Sequence, residues 1–327
     1  RMLGYTNVYA PILDVGRDQR WGRYEEVYGE SPYLVAELGI EMVRGLQHNH
    51  QVAATGKHFA AYSNNKGARE GMARVDPQMS PREVENIHIY PFKRVIRGSW
   101  HAGRNEFVQR LRRHPPCRAA TTGSPPACVA KWDSVATIVS DSDAVEYLYT
   151  KHGTAKDMKE AVRQSVEAGL NVRCTFRSPD SFVLPLRELV KEGGLSEEVI
   201  NDRVRDILRV KFLIGLFDAP YQTDLAGADR EVEKEENEAI ALQASHESVV
   251  LLKNADELLP LDINSTKKIA VCGPNANEEG YALTHYGPLA VEVTTVLEGI
   301  QEKTKGKAEV LYTKGCDLVD AHWPESE

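Results

Sequence analysis

Four side chains in this 327-residue chain stand where their types and neighbours could do chemistry. Asp141 lies in Val139-Ser140-Asp141-Ser142, just after a short apolar run that reads as a buried strand. A carboxylate at the end of a barrel strand is placed to act as a nucleophile or base. Asp is also a favoured helix N-cap, but Asp143 is the better cap for the helix expected near Ala144, which leaves Asp141 for another role. Lys57 and His58 end a second strand in Gly56-Lys57-His58-Phe59. Neighbours on a regular strand point to opposite faces, so both reach one ligand only through a bulge or turn. Otherwise they are a surface lysine beside a core histidine. Arg23 closes a third stretch, Asp14-Val15-Gly16-Arg17-Asp18-Gln19-Arg20-Trp21-Gly22-Arg23. Carboxylates and guanidinium groups can bind sugar hydroxyls in a bidentate way, and an indole can face the C–H side of a sugar ring. The same mixture equally suits a structural Arg–Asp network.

These residues need a scaffold, and the pattern around them alternates strands with helices. Val8–Leu13 reads as a strand, and Pro32–Gln47 as a helix with Leu34, Leu38, Met42 and Leu46 on one stripe. Val52–Phe59 is a strand that leads into a polar loop, Ser63–Asp76. Ser80-Pro81 opens a helix to about Ile96, with proline in the first turn, where its missing N–H costs nothing. Thr137–Ser140 is a buried strand, Thr154–Ala168 a helix stopped by Gly169, and Leu170–Phe176 a strand. Asp180–Lys191 is a helix, and Ser196 caps another that runs to about Leu213, with Glu197 and Glu198 in its positive first turn. Such alternation predicts a parallel sheet with crossover helices, whose polar loops at the carboxyl ends of the strands carry the chemistry. The fold class is therefore α/β. Residues 1–217 fall short of the roughly 250 of a complete (β/α)8 barrel, which fits a chain cut inside an incomplete (β/α)8 TIM-like barrel. The acidic stretch 218–238 reads as a linker. A second α/β unit over 239–327 begins with a helix, Ala239–Glu247, then strands Val249–Lys253 and Lys268–Cys272. Both chain ends, Arg1 and Glu327, read as cuts in a longer protein, so no compartment follows from a missing signal peptide.

Composition narrows the function. The chain is 42% hydrophobic and 27% charged, with a net charge of −8 from 40 basic and 48 acidic residues. That balance argues against a nucleic-acid binder, and no apolar run approaches the roughly 20 residues of a membrane span. Five cysteines form no disulfide framework and lack zinc spacing. Cys174, Cys272 and Cys316 read as ordinary buried thiols. No phosphate loop, dinucleotide fingerprint, His-Glu-x-x-His or Gly-x-Ser-x-Gly is present. The economical reading is a hydrolase without a cofactor or metal. A homodimer is compatible with the sequence.

Taken in order, APILDVGRDQRWGR, ATGKHFAAY, IVSDSDAV, VRDILRVKFLIGLFD, ESVVLLKNADELLPL and KIAVCGPNA resemble the motifs of glycoside hydrolase family 3 across nearly the whole chain. The resemblance implies a (β/α)8-like barrel followed by the start of an α/β sandwich domain. It also implies removal of β-linked sugars from non-reducing ends with retention of configuration. On it, Asp141 matches the family's nucleophile, and Arg23, Lys57 and His58 match its binders of sugar hydroxyls. Retaining carboxyl pairs sit about 5–5.5 Å apart, so that one attacks directly. Positive neighbours such as Arg23 and Lys57 would keep Asp141 ionised. The family's acid/base Glu lies beyond where this chain stops, and an upstream sugar-holding Asp would precede Arg1. β-Glucosidase is the first expectation and β-xylosidase the second. N-acetylglucosaminidases carry an Asp–His pair in the loop after Lys-His-Phe, and the loop NNKGAREGMARVD here has no histidine. A non-catalytic sugar-binding remnant is a reading of a different class, as is a barrel enzyme of unrelated chemistry.

One segment departs from the pattern. From Gly98 to Ala136 the periodicity vanishes, and Arg110, Arg112, Arg113, Pro115, Pro116, Pro125 and Pro126 cluster there with Cys117 and Cys128. Codons compatible with Gly98–Arg110, shifted by one base, read EAGMLGVMSSYN, which holds the family's Ser-Tyr-Asn stretch. Further slips give DYDGI and then PLQGSYYWLTTRLRGEMGFRGY before IVSDSD resumes. Residues 98–137 thus read as out of frame. As written, the segment is expected to supply no barrel strand with a matching core pattern, leaving sheet edges exposed and the chain weakly stable.

Overall fold

The structure is a computed structural model. It describes residues 1–19, 21–63, 79–98, 137–220, 224–232, 234–280 and 293–317, together with the backbone of 107–111. The loop 64–76 and the rest of the segment between 98 and 137 lie outside the described residues. The chain divides into two compact units, 1–237 and 238–327.

The first unit is built on a four-stranded parallel sheet of β1 (Asn7–Val8), β2 (Ala53–Phe59), β3 (Phe107–Leu111) and β4 (Ile138–Ser140), adjacent in that order. Helix α1 (Pro32–Leu46) crosses from β1 to β2; it starts where Ser31 Oγ accepts the Leu34 N–H, with Pro32 at the first position. Helix α2 (81–98) lies between β2 and β3. It opens on Ser80, whose Oγ accepts the Glu83 N–H at 3.2 Å, and passes through a π-helical stretch, Val84–Ile89, into Tyr90–Gly98. After β4 come α3 (Tyr147–Thr150), α4 (Met158–Glu167), α5 (Asp180–Lys191) and α6 (Glu197–Leu213). Burial of Leu13, Val15, Val35, Ile40, Val43, Phe59, Phe92 and Val95 between α1, α2 and β2 forms the main core. A second core gathers Ile138, Val145, Ala161 and Leu170, and a third gathers Val162, Val166, Leu189 and Leu195.

Several local expectations are corrected. The buried stripe of α1 is Val35, Ala36, Gly39, Ile40 and Val43, whereas Leu34, Leu38 and Met42 are exposed. The helix is apolar on two adjacent stripes, and the smaller one faces the core because Gly39 lets Leu13 in. A Cβ on Gly39 would stand 2.6 Å from Leu13 Cδ2 and 3.0 Å from Val95 Cγ2. Only Asn7–Val8 of the first strand is regular. Pro11 has no N–H to give, and the chain instead follows β2 through Leu13 N–H to Lys57 O at 2.6 Å and Lys57 N–H to Pro11 O at 3.1 Å. Leu170–Phe176 is not a strand: Val172 forms a single bridge to Val139, and the Ile138 N–H goes to the side-chain oxygen of Asn171. Helix α4 starts at Met158 because Asp157 caps it, accepting the Glu160 N–H at 2.8 Å.

The written segment does supply a strand, since Phe107–Leu111 pairs in parallel with both β2 and β4. Its Phe-Val and terminal Leu favour extended backbone. The stretch 218–238 carries a helix, α7 (Leu225–Val232), and the start of α8 (Glu235–Ser248). Its Glu, Lys and Ala are good helix formers however polar the stretch reads. In the second unit, β5 (Lys268–Cys272), α9 (Val296–Thr304) and β6 (Glu309–Thr313) form a parallel strand–helix–strand unit. Val249–Lys253 is not a strand; its apolar side chains are exposed, with no neighbouring strand among the described residues to pair with. Cys272 and Cys316 are exposed and Cys174 half-buried, rather than all three buried.

Candidate functional site

In a parallel sheet all strands end on the same side, so residues at their carboxyl ends converge. Asp14 follows Leu13, which bonds to the end of β2; Lys57 and His58 lie in β2; and Asp141 follows β4. The register of β2 on β3 shifts between Gly56 and Phe59, and the peptides Lys57–His58 and Phe59–Ala60 are cis. The register shift breaks strict alternation at Lys57 and His58, and both side chains are buried.

A hydrogen-bonded chain runs through the site. Asp14 Oδ2 accepts from the His58 backbone N–H at 2.9 Å and from His58 Nδ1 at 2.8 Å. Arg23 Nη1 lies 2.8 Å from His58 Nε2. A guanidinium can only donate, so Nε2 accepts and Nδ1 carries the proton toward Asp14. Glu26 holds Arg23 from the other side, with Oε1 to Nε at 2.6 Å and Oε2 to Nη2 at 2.5 Å. This is the fork geometry of a bidentate, charge-assisted pair. Aromatic edges pack the assembly. Tyr62 meets Trp21 at 5.0 Å and His58 at 4.9 Å, both edge to face, and the Arg23 guanidinium carbon lies 5.8 Å from the Tyr62 ring centre.

Asp141 completes the cluster. Its Oδ2 is 4.0 Å from His58 Nε2, and its Oδ1 accepts the Ser142 N–H at 2.8 Å. The carboxylate is partly exposed, while His58 is almost wholly buried. The turn after it is tied to the next crossover: Cys174 N–H donates to Ser140 Oγ at 2.8 Å, and Asp143 N–H donates to Cys174 O at 3.1 Å. Asp143 is not a cap. It has φ of +52°, its carboxylate accepts from Thr175 Oγ1 at 2.6 Å, and the helix begins only at Tyr147. The four predicted residues Arg23, Lys57, His58 and Asp141 are thus positioned by the carboxyl ends of β2 and β4 and the loop beside them. Reading the sequence for chemistry missed Glu26 and Tyr62 and gave Asp14 no separate role. Glu26 follows Arg23 by three residues, a helical pairing distance that could have flagged it. Such a cluster offers a partly exposed carboxylate beside the buried cationic donors Arg23 and Lys57, which suits attack on an electrophilic carbon of a ligand that bears hydroxyl groups. Among the described residues no group of three His, Cys, Asp or Glu side chains could hold a metal ion, and no helix is long and apolar enough to cross a membrane.

Comparison with known proteins gives concordant matches. The description "Glycosyl hydrolase family 3 N terminal domain" matches residues 1–210, and "Glycosyl hydrolase family 3 C-terminal domain" matches residues 249–321. A beta-xylosidase of Formosa agariphila is 32% identical over 342 residues, covering 97% of this chain and 46% of that protein. A periplasmic beta-glucosidase of Salmonella typhimurium is 32% identical over 330 residues, covering 97% of this chain and 41% of its own length. The solved structure of a beta-glucosidase involved in saponin metabolism from intestinal bacteria superposes with a TM-score of 0.82 at 29% identity, over 98% of this chain and 43% of that one. The chain thus spans under half the length of the curated relatives it matches.

Proposed function

The chain belongs to glycoside hydrolase family 3, and from that premise we propose that it is the nucleophile-bearing part of a retaining, exo-acting β-glycosidase for terminal β-linked glucose. The observation that supports this reading is the place of Asp141, 4.0 Å from His58 Nε2, at the carboxyl end of the strand beside a buried Arg23–His58–Asp14 chain. In this reading the Asp141 carboxylate attacks the anomeric carbon. The bond to the leaving oxygen breaks, and a glycosyl ester on Asp141 results, which water then cleaves. Arg23 and Lys57 receive the sugar hydroxyls. His58, which the resemblance also matched to that role, has both ring nitrogens taken by Asp14 and Arg23, and in this reading it orients the guanidinium, whose plane Glu26 fixes from the other side. The acid that protonates the leaving oxygen is assigned to no residue of this chain.

β-Xylose is the second reading, favoured by the relatives named beta-xylosidase. The test uses 2,4-dinitrophenyl β-glucoside and β-xyloside, whose leaving group departs without protonation. Faster release from the glucoside, with the β-anomer of the sugar formed first in the NMR spectrum, is the expected result. Faster release from the xyloside would replace glucose by xylose. Release of the α-anomer first would overturn retention. Binding of either sugar without turnover would favour a sugar-binding remnant.

A further inference from the structure

The turn that carries Asp141 is anchored at its far end by a buried charge pair that the mechanism above leaves unused. Glu146 closes the turn, and Arg173 lies just past the bridge that pairs Val172 with Val139. Their side chains are only 3% and 5% exposed, and Arg173 Nη2 pairs with Glu146 Oε1. The same Nη2 donates to Ser181 Oγ at 2.8 Å, in the first turn of α5, and the guanidinium carbon lies 5.7 Å from the Phe182 ring centre. One guanidinium therefore joins the end of the Asp141 turn to the start of α5.

The pair is poorly suited to stabilising the fold for its own sake. Arg173 Nε and Glu146 Oε2 are buried without a hydrogen-bond partner among the described residues. Two buried charges lose their hydration, and replacing such a pair by apolar groups of similar volume is often neutral or stabilising. What it supplies is geometry. The near end of the turn is held by backbone bonds to Val172 and Cys174, and the far end by Arg173. With both ends held, the Asp141 carboxylate has a defined place against His58. We propose that Glu146 and Arg173 are a positioning pair for the Asp141 carboxylate. This rests on Asp141 being the nucleophile.

The test labels the full chain with 2-deoxy-2-fluoro-β-glucosyl fluoride and follows the rate at saturating and limiting reagent. The variants are Glu146→Leu/Arg173→Met, Glu146→Gln and Arg173→Lys. The double variant is expected to melt within about 4 °C of the wild type and to bind the reagent within about threefold. Its maximal labelling rate should fall about 100-fold, the effect of roughly an ångström of misplacement. Arg173→Lys keeps the charge but not the fork, and should recover about tenfold of that loss. A folded double variant that labels at the wild-type rate overturns the proposal. So does a rate that merely tracks melting temperature across the series. If the double variant does not fold, unchanged rates in Glu146→Gln and Arg173→Lys overturn it as well. A wild-type chain that takes no label at Asp141 overturns the nucleophile assignment itself, and is told apart because it involves no variant.

Discussion

His58 shows how one residue's neighbours decide what it can do. Arg23 occupies Nε2 as a donor, so the ring is held as the Nδ1–H tautomer against Asp14. Glu26 in turn holds Arg23. Glu26→Gln keeps the shape but removes one charge-assisted bond, and should raise KM about tenfold while moving kcat less, as expected from losing roughly 1.4 kcal/mol of positioning. Steady-state kinetics on an activated aryl glycoside would check this. His88, far along the chain in α2, makes a different prediction. Burial, with a smaller push from the Arg17 charge, lowers its pKa from 6.5 to about 4. The unfolded chain takes up this proton near pH 6.5 and the folded chain only near 4. Stability should therefore fall as pH drops through that window, by up to about 3 kcal/mol, and level off below it. Urea titrations of the wild type and His88→Leu should show that slope shrinking in the variant; an unchanged slope would contradict it.

Elements were legible in the sequence where a local signal marks their ends. Ser80 and Ser196 each accept a backbone N–H at the start of a helix, as their position before Pro81 and Glu197 suggested, and Ser31 does the same before Pro32, where the sequence reading placed a helix without naming its cap. Faces were less legible. In α1 two apolar stripes compete, and only the packing of Leu13 into the space over Gly39 decides between them. Gly39→Ala should therefore destabilise the first unit by about 1–3 kcal/mol through overpacking, read as a lower denaturation midpoint at unchanged m-value. An unaltered midpoint would mean the helix shifts at no cost. The candidate residues Lys57, His58 and Asp141 stood out because their motifs lie at strand ends, and Arg23 because its motif follows the first strand, with their roles taken from the family resemblance. Tyr62 and the Glu146–Arg173 pair did not, because their partners are distant in sequence, whereas Glu26 was legible in principle from its three-residue spacing to Arg23.

For the whole molecule, the parallel order of β1 to β4 puts Lys57, His58 and Asp141 at one end of the sheet, and the loop after the first strand brings Arg23 to His58. The segment 98–137 contributes β3, yet its written sequence has no apolar period. If it is out of frame, a chain carrying the shifted reading should melt at least about 4 °C higher, a gain of roughly 1 kcal/mol. DNA with codons incompatible with the shifted frames would contradict that reading. Attack of Asp141 on the sugar is the step on which the proposed activity depends. Peptide mass mapping after incubation with 2-deoxy-2-fluoro-β-glucosyl fluoride tests it most directly, since fluoride leaves without acid assistance. A 2-deoxy-2-fluoroglucosyl mass increment is expected on the peptide that contains Asp141, absent in Asp141→Asn. A label on another carboxylate, or a folded chain that stays unlabelled with both the glucosyl and xylosyl fluorides, would contradict it.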